Sequence, residues 1–216
     1  MHFDTLKLGA LQTNCYVLAS PGPEALVIDP GGDAERVIAH LEAKKLTPAL
    51  LVVTHGHADH IMANAELRKR YPDMKIAIGR ADAGALTNAL KNGSLFIGAM
   101  VKSPKAARPL DDGDTIEVGS LKFKVLATPG HTPGGICLFT EDLDGKPALF
   151  SGDTLFAESV GRCDIPGGDW DKLIASIRAK LLTLPDETAV HPGHGKSTTV
   201  GYEKKHNPFV GEEAEG

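Results

Sequence analysis

The chain has 216 residues, 42% of them hydrophobic and 24% charged, with a formal net charge of −5. A chain of this length buries about 70% of its unfolded surface and needs no disulfide or metal staple to fold. The acidic balance counts against a general nucleic-acid binder, and no run of about 18 apolar residues offers a membrane span.

In chain order, Cys15–Ala19 and Ala25–Ile28 read as strands, separated by the turn Ser20-Pro21-Gly22-Pro23. Asp29-Pro30-Gly31-Gly32 stops the second strand. Asp33 is the predicted N-cap of a helix to about Lys45, with Val37, Ile38 and Leu41 on one face. Ala49–Val53 is wholly apolar, as for an inner strand covered on both faces. A second helix is expected over Ile61–Arg70, ending before Pro72, and then a strand over Lys75–Ile78. Residues 93–109 are the least regular segment, with Gly93, Gly98, Pro104 and Pro109 among Leu95, Phe96, Ile97 and Met100. Two readings of it stand: a lid or binding loop, or a loop packed on its own side chains.

The second half starts again with strands over Thr115–Val118, Leu121–Leu126, Gly135–Phe139 and Ala148–Phe150. A helix follows over Asp169–Leu182, with Trp170, Leu173, Ile174 and Ile177 along one face, and then a short strand over Thr188–Val190. From about Tyr202 the tail is polar and expected to fray. One domain over 1–216 is expected. Each half runs strands and then helix, which suggests two similar layers face to face. Cys15, Cys137 and Cys163 are odd in number and form no CxxC pair, and no signal peptide is visible at the N-terminus. A reducing, cytoplasmic setting follows.

The chemistry concentrates in His55-Gly56-His57-Ala58-Asp59-His60, where an apolar strand gives way to a helix. His55 and His57 share a side by the period-2 alternation of a strand. Asp59 and His60 then open the helix. Four imidazole and carboxylate groups in six residues suit zinc, iron or manganese. Three later turns, each directly after a strand, hold His131 (in Thr128–Gly134), Asp153 (in Ser151–Thr154) and His194 (in His191–Gly195). Any one of these alone is a common turn or capping residue. Together with the first cluster they make seven ligands, too many for one tetrahedral ion and enough for two.

The set HxHxDH, PGHTPG, GDTLF and PGHG resembles the metallo-β-lactamase superfamily, in particular its glyoxalase II-like (hydroxyacylglutathione hydrolase) branch in a short form without the C-terminal helical domain. The likeness runs from Thr13-Asn14-Cys15-Tyr16 through Ile28–Gly32 to His206-Asn207-Pro208-Phe209. It implies an α/β fold, an αββα sandwich of two mixed sheets with helices outside. It implies one metal on His55, His57 and His131 and a second on Asp59, His60 and His194, with Asp153 bridging. A metal-bridging hydroxide, oriented by Asp59, would attack a thioester. Asp29 either orients a ligand or only turns the chain. Arg162 matches a basic residue that contacts the glutathione backbone; its other reading is a salt bridge with Asp164 or Asp169. Cys163 reads as a small buried hydrophobe.

Asp at position 153, where β-lactamases of the superfamily commonly carry Cys, points away from penicillin hydrolysis. The runner-up is a mononuclear-iron persulfide dioxygenase using His55, His131 and Asp153; hydrolysis of another ester or lactone is the third reading. The implied partner is a small-molecule thioester, with no nucleic acid and no membrane.

Overall fold

The computed structural model describes residues 1–212 and 214. Strands β1 (His2–Leu8), β2 (Thr13–Ala19) and β3 (Glu24–Ile28) form an antiparallel meander. β4 (Thr47–Val53), β5 (Lys75–Gly79) and β6 (Arg108–Leu110) extend it in parallel into a six-stranded sheet. A second six-stranded sheet is built from β7 (Thr115–Val118), β8 (Leu121–Ala127), β9 (Ile136–Thr140) and β10 (Ala148–Gly152). A small hairpin, β11 (Leu155–Phe156) and β12 (Ser159–Val160), stands apart from it. β13 (Ala189–Pro192) joins the second sheet parallel to β10, and β14 (Thr198–Thr199) closes its edge.

The period of two explains why the strands lack polar alternation. All of β2 is buried. Cys15, Val17 and Ala19 pack outward against Val37 and Leu41 of α1 (Ala34–Ala43) and Leu67 of α3 (Asn64–Arg70). Tyr16 and Leu18 pack inward against Phe123, Val125, Leu138 and Phe150 of the other sheet. On the far side, Cys137, Leu149 and Val190 are covered by Leu173 of α4 (Trp170–Ser176) and by Ile177 and Leu181 of the π turn that continues it. Strands covered on both faces read as continuous apolar runs. The result is the αββα sandwich of two mixed sheets.

Four expectations are corrected. The stretch read as one helix over Ile61–Arg70 is α2 (Ala58–Ile61) and α3, broken at Met62 and Ala63. The break arises because the Ala63 amide donates to the Pro30 carbonyl at 3.0 Å instead of continuing α2. Asp33 holds the expected N-cap position of α1, but in a left-handed conformation, and its side chain makes no capping bond. Its carboxylate instead accepts from the Gly9 amide at 3.0 Å and pairs with Arg36. The tail does not fray from Tyr202. Residues Val200–His206 form α5, capped by Thr199 and anchored by the buried Glu203, which accepts from the Glu158 amide, Thr198 Oγ1 and Asn207 Nδ2. The fraying expectation extends onto Glu213, Glu215 and Gly216, which lie outside the described residues. Finally, the segment 93–109 is not irregular throughout: it contains a short 3-10 turn at Ser94–Ile97, and Arg108–Leu110 is strand β6. Among the described residues no helix is long and apolar enough to cross a membrane.

Candidate metal centre

Five loop or helix-start segments that follow strands β4, β8, β10 and β13 meet at one edge of the sandwich. The residue just past β4 is Thr54, and after it come His55 and His57; α2 presents Asp59 and His60. The β8–β9 loop brings His131, the end of β10 brings Asp153, and the β13–β14 loop brings His194. All seven predicted ligands converge.

Their ligand atoms fall into interlocking sets: His55, His57 and His131; His55, His60 and Asp153; and Asp59, His60 and His194. In the first, His57 Nδ1 lies 2.9 Å from His55 Nε2 and 3.0 Å from His131 Nε2. In the last, His194 Nε2 is 3.2 Å and His60 Nε2 3.6 Å from Asp59 Oδ2. Asp153 reaches both groups: Oδ1 is 3.4 Å from His60 Nε2, and Oδ2 is 3.6 Å from His194 Nε2 and 3.7 Å from His131 Nε2.

The outward ring nitrogens fix the tautomers. His131 Nδ1 faces the Arg162 carbonyl at 2.7 Å, and His194 Nδ1 faces the Leu11 carbonyl at 3.1 Å. A carbonyl only accepts, so each Nδ1 carries the proton and each Nε2 turns a bare lone pair inward. Asp29 does the same for His60, with Oδ2 at 3.0 Å from Nδ1. Asp29 itself adopts a positive φ of 50° at the end of β3, a region Asp enters more readily than most residues. Its carboxylate also accepts from the Thr54 amide and hydroxyl at 2.7 and 2.6 Å. Of its two readings, the structure shows it holding a ring of the cluster.

The donor set fits metal ions. Lone pairs and carboxylate oxygens face one another, and the buried atoms His60 Nε2 and Asp153 Oδ1 have no hydrogen-bond partner. Burial, together with the neighbouring rings, pushes His55 well below the usual imidazole range and His57 down to about 4, so both are neutral at pH 7. Burial works against the charge on His60 as well, but Asp153, Asp59 and Asp29 outweigh it and raise its pKa. The carboxylates thus call for positive charge at the centre. His191, in strand β13 just before the loop that carries His194, is not part of it. It sits among Phe3, Tyr16 and Phe150, and burial lowers it to about 4. Cys163 is half-buried and joins none of these sets.

Sequence reasoning missed Asp82. This buried carboxylate accepts from the Gly56 amide at 2.8 Å, between His55 and His57. It also accepts from Thr132 Oγ1 and the Gly134 amide, both at 2.7 Å, beside His131. It therefore clasps two ligand loops together. Nothing in Ala81-Asp82-Ala83 signals this, because the partners lie 26 to 52 residues away. Asp82→Ala leaves two buried amides unpaired and is expected to cost about 3 kcal/mol, read from denaturant unfolding of the metal-free protein; a loss near zero would show the clasp to be incidental.

The sequence profile described as the metallo-beta-lactamase superfamily matches residues 8–194. The chain belongs to the metallo-beta-lactamase superfamily. Membership supports a metal-dependent hydrolase with a two-metal centre. Among relatives, the chain is similar to the hydroxyacylglutathione hydrolase GloC of Haemophilus influenzae, 34% identical over 97% of this chain and 98% of that one. Among solved structures it is similar to the B3 metallo-beta-lactamase BLEG-1, with a TM-score of 0.91, 39% identity and coverage of 97% and 99%. A protein crystallised in a di-iron-bound form is also similar, with a TM-score of 0.83, 38% identity and coverage of 96% and 100%.

His57, Asp59, His131, Asp153 and His194 of the cluster line a pocket of about 230 Å³. Arg162 lines it, but its guanidinium is held bidentately by Asp164, at 2.8 Å for both bonds. Of the two readings for Arg162, the ion pair is present with Asp164, and the arginine stands at the pocket as well.

Proposed function

We propose that this protein hydrolyses thioesters of the S-2-hydroxyacylglutathione type, with two divalent ions held by His55, His57, Asp59, His60, His131, Asp153 and His194. The carrying observation is the seven-ligand assembly, with Asp153 reaching both groups, at the floor of an open pocket. Zinc is the metal of this reading; the all-nitrogen-and-oxygen set also accepts iron or manganese. Ions bound there lower the pKa of water and polarise the substrate carbonyl.

The chain's own residues do the positioning. Asp59 stays ionised, since the imidazoles of His60 and His194 outweigh the burial that works against its charge. Its Oδ2 can therefore accept a hydrogen bond from the attacking water and hold it in line with the carbonyl. Thr13 Oγ1, 3.5 Å from that oxygen, steadies the carboxylate. Arg162 offers the carrier's carboxylate a fork once Asp164 is displaced; an exposed ion pair of this kind is weak and opens readily. The three unpaired cysteines fit a reducing, cytoplasmic setting.

The test is hydrolysis of S-D-lactoylglutathione by metal-loaded protein, followed as loss of thioester absorbance. A kcat/KM above roughly 10⁴ M⁻¹s⁻¹ supports the reading. Turnover below this with rapid opening of a chromogenic β-lactam would replace it with β-lactam hydrolysis, the activity in the name of BLEG-1 and the one that Asp153 counts against. Oxygen uptake with glutathione persulfide by protein carrying one iron would replace it with the dioxygenase reading; the assembly of Asp59, His60 and His194 beside the first group favours two ions. Within the thioesterase reading, Arg162→Ala is expected to raise KM about tenfold with little change in kcat, and an unaltered KM removes Arg162 from carrier binding.

A further inference from the structure

We infer that the segment 90–97 forms a subsite for an apolar acyl chain on the substrate, longer than lactoyl; this deepens, and rests on, the reading of the site as a 2-hydroxyacyl thioester hydrolase. Leu90 and Phe96 are 72% and 74% exposed, and Leu95 and Met100 nearby are 67% and 70% exposed. Large apolar side chains grouped at a pocket mouth mark a ligand surface more often than chance exposure.

The exposure is built in. Asn92 is fully buried at the base. Its Nδ2 donates to the Val101 carbonyl at 3.0 Å, its Oδ1 accepts from the Ser94 amide and hydroxyl, and its own carbonyl accepts from the Ala58 amide at 2.7 Å, next to His57. Ser103 donates its amide to the Leu86 carbonyl at 2.7 Å and fixes the return of the chain. The base is thus pinned to the helix that carries Asp59 and His60, while the tips stand free.

Only some of these tips face the metal pocket. Leu90, Phe96 and Ile97 line it, together with Leu11, Ile165 and Pro166. Between Ala83 and Leu110 the chain has no carboxylate, and the charged residue of this segment at the pocket is Lys91, so nothing in this wall repels a bound acid. The methyl of a lactoyl group is too small to cover Leu90 and Phe96; a chain of several methylenes removes them from water.

The test is isothermal titration of the metal-loaded full chain with lactate and with 2-hydroxyoctanoate, the free acids that such thioesters release. A buried methylene is worth about fourfold in affinity, so 2-hydroxyoctanoate is expected to bind at least about tenfold more tightly. In Leu90→Ala/Phe96→Ala that ratio is expected to fall to near one. In Leu95→Ala/Met100→Ala, whose side chains are not in the pocket wall, it is expected to persist. Equal affinities in the wild type, no measurable 2-hydroxyoctanoate binding, survival of the ratio in the first variant or its equal loss in the second would each overturn the subsite. Turnover of the two glutathione thioesters is measured separately: absence of turnover with the binding ratio intact would remove the thioesterase reading and leave the subsite standing.

Discussion

Replacing His57 with alanine is expected to lower turnover by about a thousandfold or more and to take bound metal from two ions per chain toward one. His57 Nδ1 is the atom that both His55 Nε2 and His131 Nε2 approach, at 2.9 and 3.0 Å. Without it that group keeps two donors, while Asp59, His60 and His194 keep all three. One ion should remain, and the charge stabilisation of the second, several kcal/mol, should go. Metal analysis and steady-state rates on the same sample decide it; two ions with near-wild-type turnover would sink the assignment. Stability gives an independent check. In the metal-free wild type His55 is buried and His57 half-buried, both are crowded by other rings, and both resist protonation. The metal-free variant should therefore melt no lower than the metal-free wild type, while the rise in Tm on adding metal should shrink.

Much of this centre was legible because the ligands sit in short turns directly after apolar strands, or, for Asp59 and His60, in the helix that opens from one. The strand–turn pattern and the residue type at its end are local, and local signals survive in sequence. The same holds for the doubly covered strands: β2 and β4 read as apolar runs because a sheet and helices bury both faces. What stayed hidden depends on distant partners. β1, His2–Leu8, mixes polar and apolar residues and is a strand because it pairs along the whole of β2, His2 opposite Ala19 through Leu8 opposite Thr13. The break between α2 and α3 comes from a carbonyl at Pro30, and α5 is fixed by a buried Glu203 whose partners include the backbone at Glu158. Asp82 follows the same rule. Arg162 shows a further limit: the sequence carried both its readings, and geometry places it in the ion pair and at the pocket together.

Gly193 carries the second large effect, and the cause is space rather than backbone freedom. Its amide donates to the Gly152 carbonyl at 2.8 Å and its carbonyl accepts from the Asn14 amide at 2.7 Å, so its position is held from both sides. A Cβ there would lie 2.2 Å from Asp153 Oδ1 and 2.8 Å from His60 Cε1. His60 cannot retreat, because Asp29 holds its Nδ1 and the ring is fully buried. The displacement therefore falls on the Asp153 carboxylate, the group that reaches both halves of the centre. Gly193→Ala is expected to weaken metal binding by at least about 10–100-fold, the range seen when a ligand's support is removed. Strain should add about 1–3 kcal/mol to the cost in the metal-free fold. Gly195 supplies the contrast two residues on. It has a positive φ of 78° but nothing within 4 Å of a Cβ, so Gly195→Ala should cost about 1 kcal/mol of backbone strain and leave metal affinity within about threefold. Competition with a chromophoric chelator measures both variants. Equal metal affinity in the two would mean that Asp153 moves aside without loss, and that its contact with both groups is not what holds the second ion.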